Sequence, residues 1–568
     1  MSDSSDGKWT RRRFLEAIGM AGGAAAVYET MTALGLINVP DAFARQPLPP
    51  NSGTGKSVVI LGAGIAGLTA AYELKNAHYD VTVLEAQNRI GGRNHTVRRG
   101  DVLEEITGTR QLCRFDEGLY LNAGPGRLPY HHTAVLEYCR ILGVPLEVYV
   151  MMTRANLFQN SKGYADRPAF DGKPVVNRRI ANDTRGYISE LLAKAINKGA
   201  LDDRLNAHDK EAMLDLLTVF GDVEKSKNYV YEGSSRSGYD IEPGILPCPE
   251  VVQKLSLQSL LDANFWKFRF YQPEEYEWQP TLFEPVGGMD EIVKGFERHV
   301  GDLVHTERVV TRVHTYDDRV EVEHRGPGGA TELAKADWCI STIPLPILHK
   351  ISNNFVDDYK TAIGNVKFAD TCKVGWQANR RFWERDEQIY GGISYIHHNI
   401  TQMWYPSHGY FGEKGVLTGA YNYDDNAKEM GDMELPDRLD LAMKGAQRLH
   451  PHFAEFVPKD LGLSIAWQKV PHQLGGWADD IDCNSSTYRR LLRPERRFWV
   501  SADQVSQISG DQVSQISGWQ EGAIRSALYV LERIHNPALL EEGTRAPRLK
   551  AVPRRAAPST RRRTRGLP

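Results

Sequence analysis

The stretch Val58–Glu85, VVILGAGIAGLTAAYELKNAHYDVTVLE, decides the fold of this chain. Four apolar residues lead into Gly62, Gly64 and Gly67, helix formers follow, and a second apolar run ends on an acid. Gly62 permits a tight turn, Gly64 lets the backbone approach a pyrophosphate, and Gly67 lets helix and strand pack closely. The stretch therefore predicts a βαβ unit for a dinucleotide, with Glu85 accepting hydrogen bonds from ribose hydroxyls.

A second glycine motif follows directly. EAQNRIGGR ends in Gly91, Gly92 and Arg93 just past the acid. In isolation, a glycine-rich turn with a surface arginine would explain it. Next to the first motif, it resembles the second FAD fingerprint of the flavin amine oxidase family, and we expect Gly92 and Arg93 to contact the cofactor.

Length and composition predict a large globular enzyme. The chain has 568 residues, 41% hydrophobic and 25% charged, which suffices for about two or three cores. A formal charge of -3 argues against nucleic acid as the main partner. No internal apolar run is long enough to span a bilayer. The six cysteines show no metal-ligand spacing, so we expect mostly structural thiols and no metal; they are Cys113, Cys139, Cys248, Cys339, Cys372 and Cys483.

Both termini have unusual composition. Residues 1–44 resemble a twin-arginine signal peptide, with Arg11-Arg12-Arg13 before an apolar stretch and an A-x-A site ending at Ala44. A basic tail before a short helix is the alternative. We expect export in the folded state to the periplasm or beyond, after cofactor loading. Residues 545–568 hold nine Arg or Lys and no acid, which predicts a disordered, solvated tail.

The chain is expected to weave between three structural domains. Residues 306 to 343 alternate apolar and polar positions around two turn signals, which predicts a strand meander covering the nucleotide-binding sheet. Helix formers and charges dominate the segment expected to be a helical insertion. The expected boundaries are 55–130, 286–350 and 495–540 for the FAD-binding domain, 131–155, 246–285 and 351–494 for the substrate domain, and 156–245 for the helical domain.

Six further motifs resemble those of one known enzyme family. LNAGPGRLPYHH, FEPVGGMDEIV, ADWCISTIP, DTCKVGW, MWYPSH and SGWQEGAIRSA occur in the order found in flavin-dependent L-amino acid oxidases, and the likeness covers roughly residues 55 to 535. The resemblance implies an α/β fold: a Rossmann-like FAD-binding domain of the glutathione-reductase type, a substrate domain with a mixed sheet, and a helical insertion framing the access route.

The resemblance also assigns substrate-site residues. Arg127, in GPGRLP, matches an arginine that pairs with the substrate α-carboxylate, a task suited to a planar guanidinium. Tyr405 matches a tyrosine whose hydroxyl adds a second bond. Lys373 matches a lysine that holds a water against flavin N5. The alternative for Arg127 is a surface ion pair, and for Tyr405 it is a buried ring with a satisfied hydroxyl. For Lys373 the alternative is a side chain whose stem reaches to solvent.

Other assignments concern the flavin itself. Trp477 lies where related amine oxidases carry a cysteine bound covalently to the flavin, so we expect non-covalent FAD and a tryptophan wall in the side-chain pocket. Trp519 matches a tryptophan that flanks the substrate amino group. Val310 matches a valine whose backbone meets the adenine, and Gly124 and Gly518 are expected at the cofactor. Ordinary core packing is the alternative for the two tryptophans and the valine.

The chain departs from the family before its last helix. DQVSQISG occurs twice in tandem, at 503–510 and 511–518. Asp503 ends the strand FWVSA, whereas Asp511 has the family spacing to the helix. Either one copy bulges outward and Asp511 replaces Asp503 at the FAD, or the helix start at Trp519 is displaced from it. Gly126 also replaces the larger residue that many relatives have before the arginine.

The implied activity is oxidation of an L-amino acid by hydride transfer from its α-carbon to flavin N5. Dioxygen then gives hydrogen peroxide, and the imino acid hydrolyses to a 2-oxo acid and ammonia. Phe265, Trp266 and Trp477 suggest an apolar or aromatic substrate side chain. An amine or polyamine oxidase, an amino acid 2-monooxygenase and a catalytically impaired FAD-binding protein remain open, as does a homodimer.

Overall fold

The computed structural model describes residues 47–163, 169–478, 484–502 and 518–540. The strands are β1 Ser57–Leu61, β2 Asp80–Leu84, β3 Thr96–Arg98, β4 Val102–Glu104, β5 Arg110–Leu112, β6 Tyr120–Asn122, β7 Leu128–Pro129, β8 Leu146–Tyr149, β9 Leu157–Gln159, β10 Val175–Val176, β11 Tyr239–Ile241, β12 Glu250–Val251, β13 Leu282–Pro285, β14 Val304–His305, β15 Val309–Thr315, β16 Val320–Arg325, β17 Thr331–Ala336, β18 Trp338–Ser341, β19 Ser352–Asn353, β20 Thr371–Ala378, β21 Ile393–Ile396, β22 Gln402–Trp404, β23 Gly415–Tyr423, β24 Gly462–Ala466 and β25 Phe498–Val500. The α-helices are α1 Ile65–Asn76, α2 Thr133–Ile141, α3 Asn177–Asn197, α4 Ala207–Gly221, α5 Leu257–Ala263, α6 Glu291–Val300, α7 Leu345–Leu348, α8 Asp357–Gly364, α9 Phe382–Arg385, α10 Asp424–Asp432, α11 Leu435–Leu449, α12 Phe453–Phe456, α13 Ser486–Leu491 and α14 Gln520–His535.

A five-stranded parallel sheet in the order β14-β2-β1-β18-β25 contains the first glycine motif. Ile60 on the central strand stands between Val83 and Ile340. The near-continuous apolar runs of these strands fit a parallel sheet buried on both faces. The βαβ unit predicted from Val58–Glu85 is confirmed as β1, α1 and β2.

The two faces of this sheet carry different layers. Val58 and Ile60 pack on one face against α1, α2, α6 and α14. Val59 and Leu61 pack on the other face against the meander β15-β16-β17, because successive side chains of a strand point to opposite sides. The meander predicted over residues 306 to 343 is confirmed, with its turns between Thr315 and Val320 and between β16 and β17.

A seven-stranded mixed sheet in the order β10-β9-β21-β22-β23-β20-β24 forms the second main unit. Its pairs are antiparallel except for β9 with β21. One face packs against α11, and an aromatic cluster that includes Phe158, Phe265 and Trp404 covers the other. The α/β fold with a parallel sheet and a second, mixed sheet is therefore as the sequence predicts.

The segment expected to be helical contains the packed pair α3 and α4, whose shared core includes Ala193 and Leu217. It also contains β9 and β10, which join the edge of the mixed sheet. These strands have three and two residues, too few for a recognisable alternation. The boundaries of the three domains remain an interpretation of the sequence.

No helix among the described residues is long and apolar enough to cross a membrane. Five cysteines lie in the described part of the chain and are unpaired; four of them are buried and Cys248 is exposed. The expected signal segment 1–44, the basic tail 545–568 and residues Asp503 and Asp511 lie outside the described residues.

Candidate active site

A long cleft runs where the parallel sheet, the meander and the mixed sheet meet. Its volume is about 1380 Å³, including space open to solvent. It is lined by both glycine motifs and by Val310, Lys373, Trp477 and Trp519. The structure thus brings together residues separated by more than four hundred positions.

The first glycine motif shapes one wall of the cleft. Gly62 has φ +100°, a conformation that favours glycine. A Cβ on Gly67 would lie 2.0 Å from the Gly62 carbonyl oxygen, so only glycine lets α1 approach the strand. A Cβ on Gly64 would instead meet open space. Helix α1 begins at Ile65 without a side-chain cap, which leaves its first N–H groups available to a phosphate.

Glu85 lies at the end of β2 and lines the same cleft. Its carboxylate accepts hydrogen bonds from the backbone N–H of Ala63 at 2.7 Å and of Gln87 at 2.8 Å. Burial raises the pKa of Glu85, and these two bonds oppose that effect. An acceptor held in this way is suited to ribose hydroxyls. Val310, at the start of the meander, lines the cleft as well.

The second glycine motif docks on the first. The Gly91 N–H donates to the Ala63 carbonyl at 2.8 Å, and Gly92 adopts φ +57°. A Cβ on Gly124 would lie 1.9 Å from the Arg93 carbonyl oxygen, so glycine is required there too. Glycine cradles, an uncapped helix end and an acid at the strand end fit a dinucleotide such as FAD.

Arg127 is a buried cation near Trp519, a residue that lines the cleft. It is 5% exposed, and its Nε and Nη1 have no hydrogen-bond partner. Aromatic rings surround the guanidinium, with centroids at 4.0 Å for Trp278, 4.8 Å for Trp404, 5.7 Å for Tyr149 and 5.9 Å for Trp519. A buried, unpaired guanidinium is costly unless an anion binds to it. The surroundings of Arg127 can therefore accept an anion.

Lys373 projects from β20 into the cleft. Its Nζ donates to the carbonyl oxygens of Gly124 and Asn122, the latter at 3.1 Å. Burial, and secondarily the charge of Arg127, lower the pKa of Lys373 to about 7. A lysine that is partly neutral at physiological pH is a frequent mark of a functional site.

The last helix begins at the cleft. Trp519 is the N-cap residue of α14, and Gly518, Trp519, Gln520 and Ala523 all line the cleft. Gly518 adopts φ +79°, and its Cβ would lie 3.3 Å from the Trp477 side chain. Despite the tandem repeat, the helix start is not displaced from the site. The positive end of α14 can stabilise negative charge there.

The structure places the Tyr405 hydroxyl away from Arg127, contrary to the expected position beside the carboxylate. Its buried hydroxyl hydrogen-bonds Ser394 at 2.8 Å and His450 Nε2 at 2.7 Å, on the side of the mixed sheet that packs against α11. Because neighbouring residues of an extended chain point to opposite sides, Trp404 takes the position beside the guanidinium.

Sequence reasoning missed the aromatic walls Trp278, Trp404 and Tyr149. Tyr149 is buried and its hydroxyl makes no hydrogen bond of normal geometry; burial raises its pKa to about 12, so it stays a donor. A Cβ on Gly126 would lie 2.7 Å from the Trp404 ring, which explains the small residue before Arg127. The strand parity of Trp404 and Tyr405 was the signal that would have identified Trp404.

Fold and cleft together define a dinucleotide-binding protein whose cleft lies between the parallel and the mixed sheet. The family model for flavin-containing amine oxidoreductases matches residues 65–535, and the chain belongs to that family. FAD is thus its cofactor, as the glycine motifs predict.

Individual relatives resemble the chain over most of their length. It is 27% identical to the flavin-dependent L-tryptophan oxidase RebO of Lentzea aerocolonigenes, over 84% of this chain and 98% of the relative. It is 25% identical to an L-amino-acid oxidase of Notechis scutatus scutatus, over 70% and 71%. Among solved structures, wild-type putrescine oxidase bound to putrescine has a TM-score of 0.54 at 18% identity, over 84% of this chain and 98% of that one. This last likeness concerns the fold.

Proposed function

We propose that the protein is an FAD-dependent L-amino acid oxidase that produces 2-oxo acids, ammonia and hydrogen peroxide. The observation that carries the proposal is Arg127, a buried guanidinium with no counterion among the described residues. An amine substrate would leave this charge unpaired, whereas an α-carboxylate neutralises it with charge-assisted bonds. The names of the relatives, L-tryptophan oxidase and L-amino-acid oxidase, agree with this chemistry.

Each residue of the site has a separate role in substrate binding. Arg127 binds the carboxylate, and Tyr149 takes the role of second donor first assigned to Tyr405. Trp519 flanks the amino group, and Trp477 walls the side-chain pocket. When bound, FAD accepts the hydride from the substrate α-carbon and passes the electrons to dioxygen. Holding the substrate in one orientation is the main contribution of the protein.

Lys373 acts next to this centre. Its amine is fixed by two backbone carbonyls and is partly neutral near pH 7. We assign it to hold a water molecule at the flavin, as the family resemblance implies. The helix end at Trp519 complements negative charge on the reduced cofactor.

The remaining assignments are part of the same proposal. FAD is bound non-covalently, because Trp477 replaces the cysteine of related amine oxidases. Glu85, Arg93, Gly124 and Val310 contact it, and one of the two repeat aspartates, Asp503 or Asp511, does so too. Residues 1–44 direct the protein to the periplasm or the medium, and a homodimer is the expected assembly.

The test is a peroxide assay of the purified holoprotein with L-amino acids, their D-enantiomers and the corresponding decarboxylated amines. We expect turnover of L-amino acids, with aromatic or large apolar side chains best, and about one peroxide per substrate. Preferential oxidation of amines would contradict the proposal. An amide product with little peroxide would identify a monooxygenase instead, and absence of any turnover in flavin-loaded protein would identify an impaired enzyme.

A further inference from the structure

Two adjacent histidines share one carboxylate next to the substrate site. Nε2 of His131 lies 3.0 Å and Nε2 of His132 lies 2.8 Å from the same oxygen, Oε2 of Glu277. All three side chains are mostly buried. Burial alone would raise the pKa of Glu277, but the hydrogen bonds from His131 and His132 outweigh it and hold that pKa well below its usual range. Glu277 is therefore an anion at physiological pH.

The cluster of His131, His132 and Glu277 connects two aromatic residues near Arg127, namely Trp278 and Trp519. Glu277 belongs to the 3₁₀ turn Tyr276–Trp278, and the next residue, Trp278, places its ring 4.0 Å from the Arg127 guanidinium carbon. His132 is the N-cap residue of α2, and its ring meets the edge of Trp519 at 5.0 Å. Trp278 and Trp519 are themselves 5.2 Å apart.

The turn that carries Trp278 needs an anchor. A single 3₁₀ turn has poor hydrogen-bond geometry and little stability of its own. Trp278 is only partly buried, so packing alone does not fix its ring. Two hydrogen bonds from the loop after Arg127 to Glu277 tie the tryptophan to the chain segment that supplies the guanidinium.

We propose that Glu277, held by His131 and His132, is a positioning residue that keeps Trp278 over Arg127 and thereby sets the affinity of the site for carboxylates. The inference rests on the proposed function, because it concerns how the carboxylate anchor is oriented. Glu277 acts through Trp278 and does not touch the substrate itself.

A metal ion bound by His131, His132 and Glu277 is the alternative explanation of this cluster, because the three possible ligand atoms lie within 4.8 Å of one another. A histidine that binds a metal normally donates its other ring N–H to an acceptor. Here Nδ1 of both His131 and His132 is buried without a hydrogen-bond partner. Imidazoles that donate from Nε2 to Glu277 account for the arrangement better than ligation does.

The test uses Glu277→Ala and Glu277→Gln, with Glu275→Ala as matched control because Glu275 is an exposed acid of the same segment. We expect Glu277→Ala to raise KM for the best L-amino acid about 10- to 100-fold while kcat changes less than about threefold. Glu277→Gln keeps an acceptor oxygen but loses the charge, so its effect is expected to be smaller. The control should match wild type.

Two further measurements separate this inference from the proposed function. Benzoate, a simple carboxylate, is titrated into each holoprotein and followed by the flavin absorbance, and its Kd should rise with Glu277→Ala even if no amino acid is turned over. Unchanged KM and benzoate Kd in a variant that retains FAD would overturn the proposal. If Glu277→Ala does not fold, the same criteria are applied to Glu277→Gln. Equimolar zinc in the purified wild type, lost in Glu277→Gln, would show a metal site instead.

Discussion

The buried charge of Arg127 is not neutralised by any acid among the described residues. The guanidinium is enclosed by Trp278, Trp404 and Tyr149, which offer π faces but no negative charge. Cation–π contacts of this kind contribute roughly 0.5 to 2 kcal/mol each, less than the desolvation of a buried charge. In the proposed function, a substrate carboxylate supplies the missing negative charge, which would link substrate affinity to substrate class.

Replacing Arg127 with Met should remove this selectivity. Methionine keeps much of the stem's volume but removes both charge-assisted bonds, so the substrate carboxylate stays desolvated and unpaired. We expect a loss of about 3 to 5 kcal/mol in transition-state binding, or roughly two to four powers of ten in kcat/KM. The flavin content should hardly change. Steady-state kinetics with an L-amino acid and its decarboxylated amine measure the effect, and an equal loss for both would make Arg127 structural.

Tyr405→Phe separates the corrected assignment from the original one. The hydroxyl bridges Ser394 and His450, and His450 also hydrogen-bonds Glu387 at 2.8 Å. Its removal leaves buried partners less satisfied, so the free energy of unfolding should fall by about 1 to 3 kcal/mol. KM for the amino acid should change less than about twofold. A large rise in KM with unchanged stability would restore Tyr405 to the carboxylate site.

The lowered pKa of Lys373 predicts that the free energy of unfolding depends on pH. Its pKa is about 7 in the folded chain against an ordinary 10.5, so between these values the unfolded chain binds the extra proton. The contribution of Lys373 to the free energy of unfolding therefore rises with pH across this window, by at most roughly 5 kcal/mol. Lys373→Met cannot titrate, and its stability relative to wild type should fall as pH rises from about 7 to 10.5. Thermal unfolding of the holoproteins at several pH values measures this, with exposed Lys350→Met as control. A pH-independent difference would contradict the shifted pKa.

A residue of the site could be predicted from the sequence when a local motif fixes its position. Arg127 and Lys373 lie in motifs whose positions are fixed by neighbouring glycines and strands. Trp404 and Tyr405 differ by one position, and a shift of one residue exchanges the two faces of an extended segment. Trp278 and Tyr149 reach Arg127 from other segments, and no local pattern marks such a long-range contact.

At the scale of elements, the turn between β1 and α1 combines two kinds of glycine. Gly67 is required by packing, since its Cβ would overlap the Gly62 carbonyl. Gly64 has room for a Cβ, with nothing within 4 Å. Packing therefore does not require glycine at Gly64, and we attribute the glycine to the approach of the cofactor phosphates.

Gly64→Ala should consequently fold normally but bind FAD poorly. The added methyl enters the space of the cofactor phosphates, and overpacking of this kind costs about 1 to 3 kcal/mol, equivalent to roughly one or two powers of ten in Kd. Titration of apoprotein with FAD measures the affinity, and circular dichroism of the apoprotein checks the fold. Gly244→Ala, at an exposed open position, is the control. Wild-type affinity in Gly64→Ala would place the phosphates elsewhere.

Strands with a clear alternation of apolar and polar residues could be predicted from the sequence, whereas strands of two or three residues could not. The meander β15 to β17 shows alternation over six or seven residues per strand, and α1 follows a glycine motif of known geometry. By contrast, β9 and β10 exist because they pair with distant strands of the mixed sheet. Tertiary context decides such short strands.

At the scale of the whole molecule, the cleft arises where chain segments distant in sequence meet. Its walls include Gly62 just after the first strand, Lys373 from the mixed sheet and Trp519 at the start of the last helix. The sequence motifs identify these residues one by one. Their mutual placement depends on the packing of two sheets, which no local pattern encodes.

The last prediction concerns the attachment of the cofactor to this assembled cleft. Trp477 lines the cleft, and no cysteine does so among the described residues, where Cys113, Cys139, Cys339 and Cys372 are buried and Cys248 is exposed. Acid precipitation of the yellow holoprotein should therefore release FAD into the supernatant. Because FAD binds only the folded chain, added FAD should also raise Tm of the apoprotein in a concentration-dependent manner. Flavin that stays with the denatured pellet would show a covalent bond and contradict the prediction.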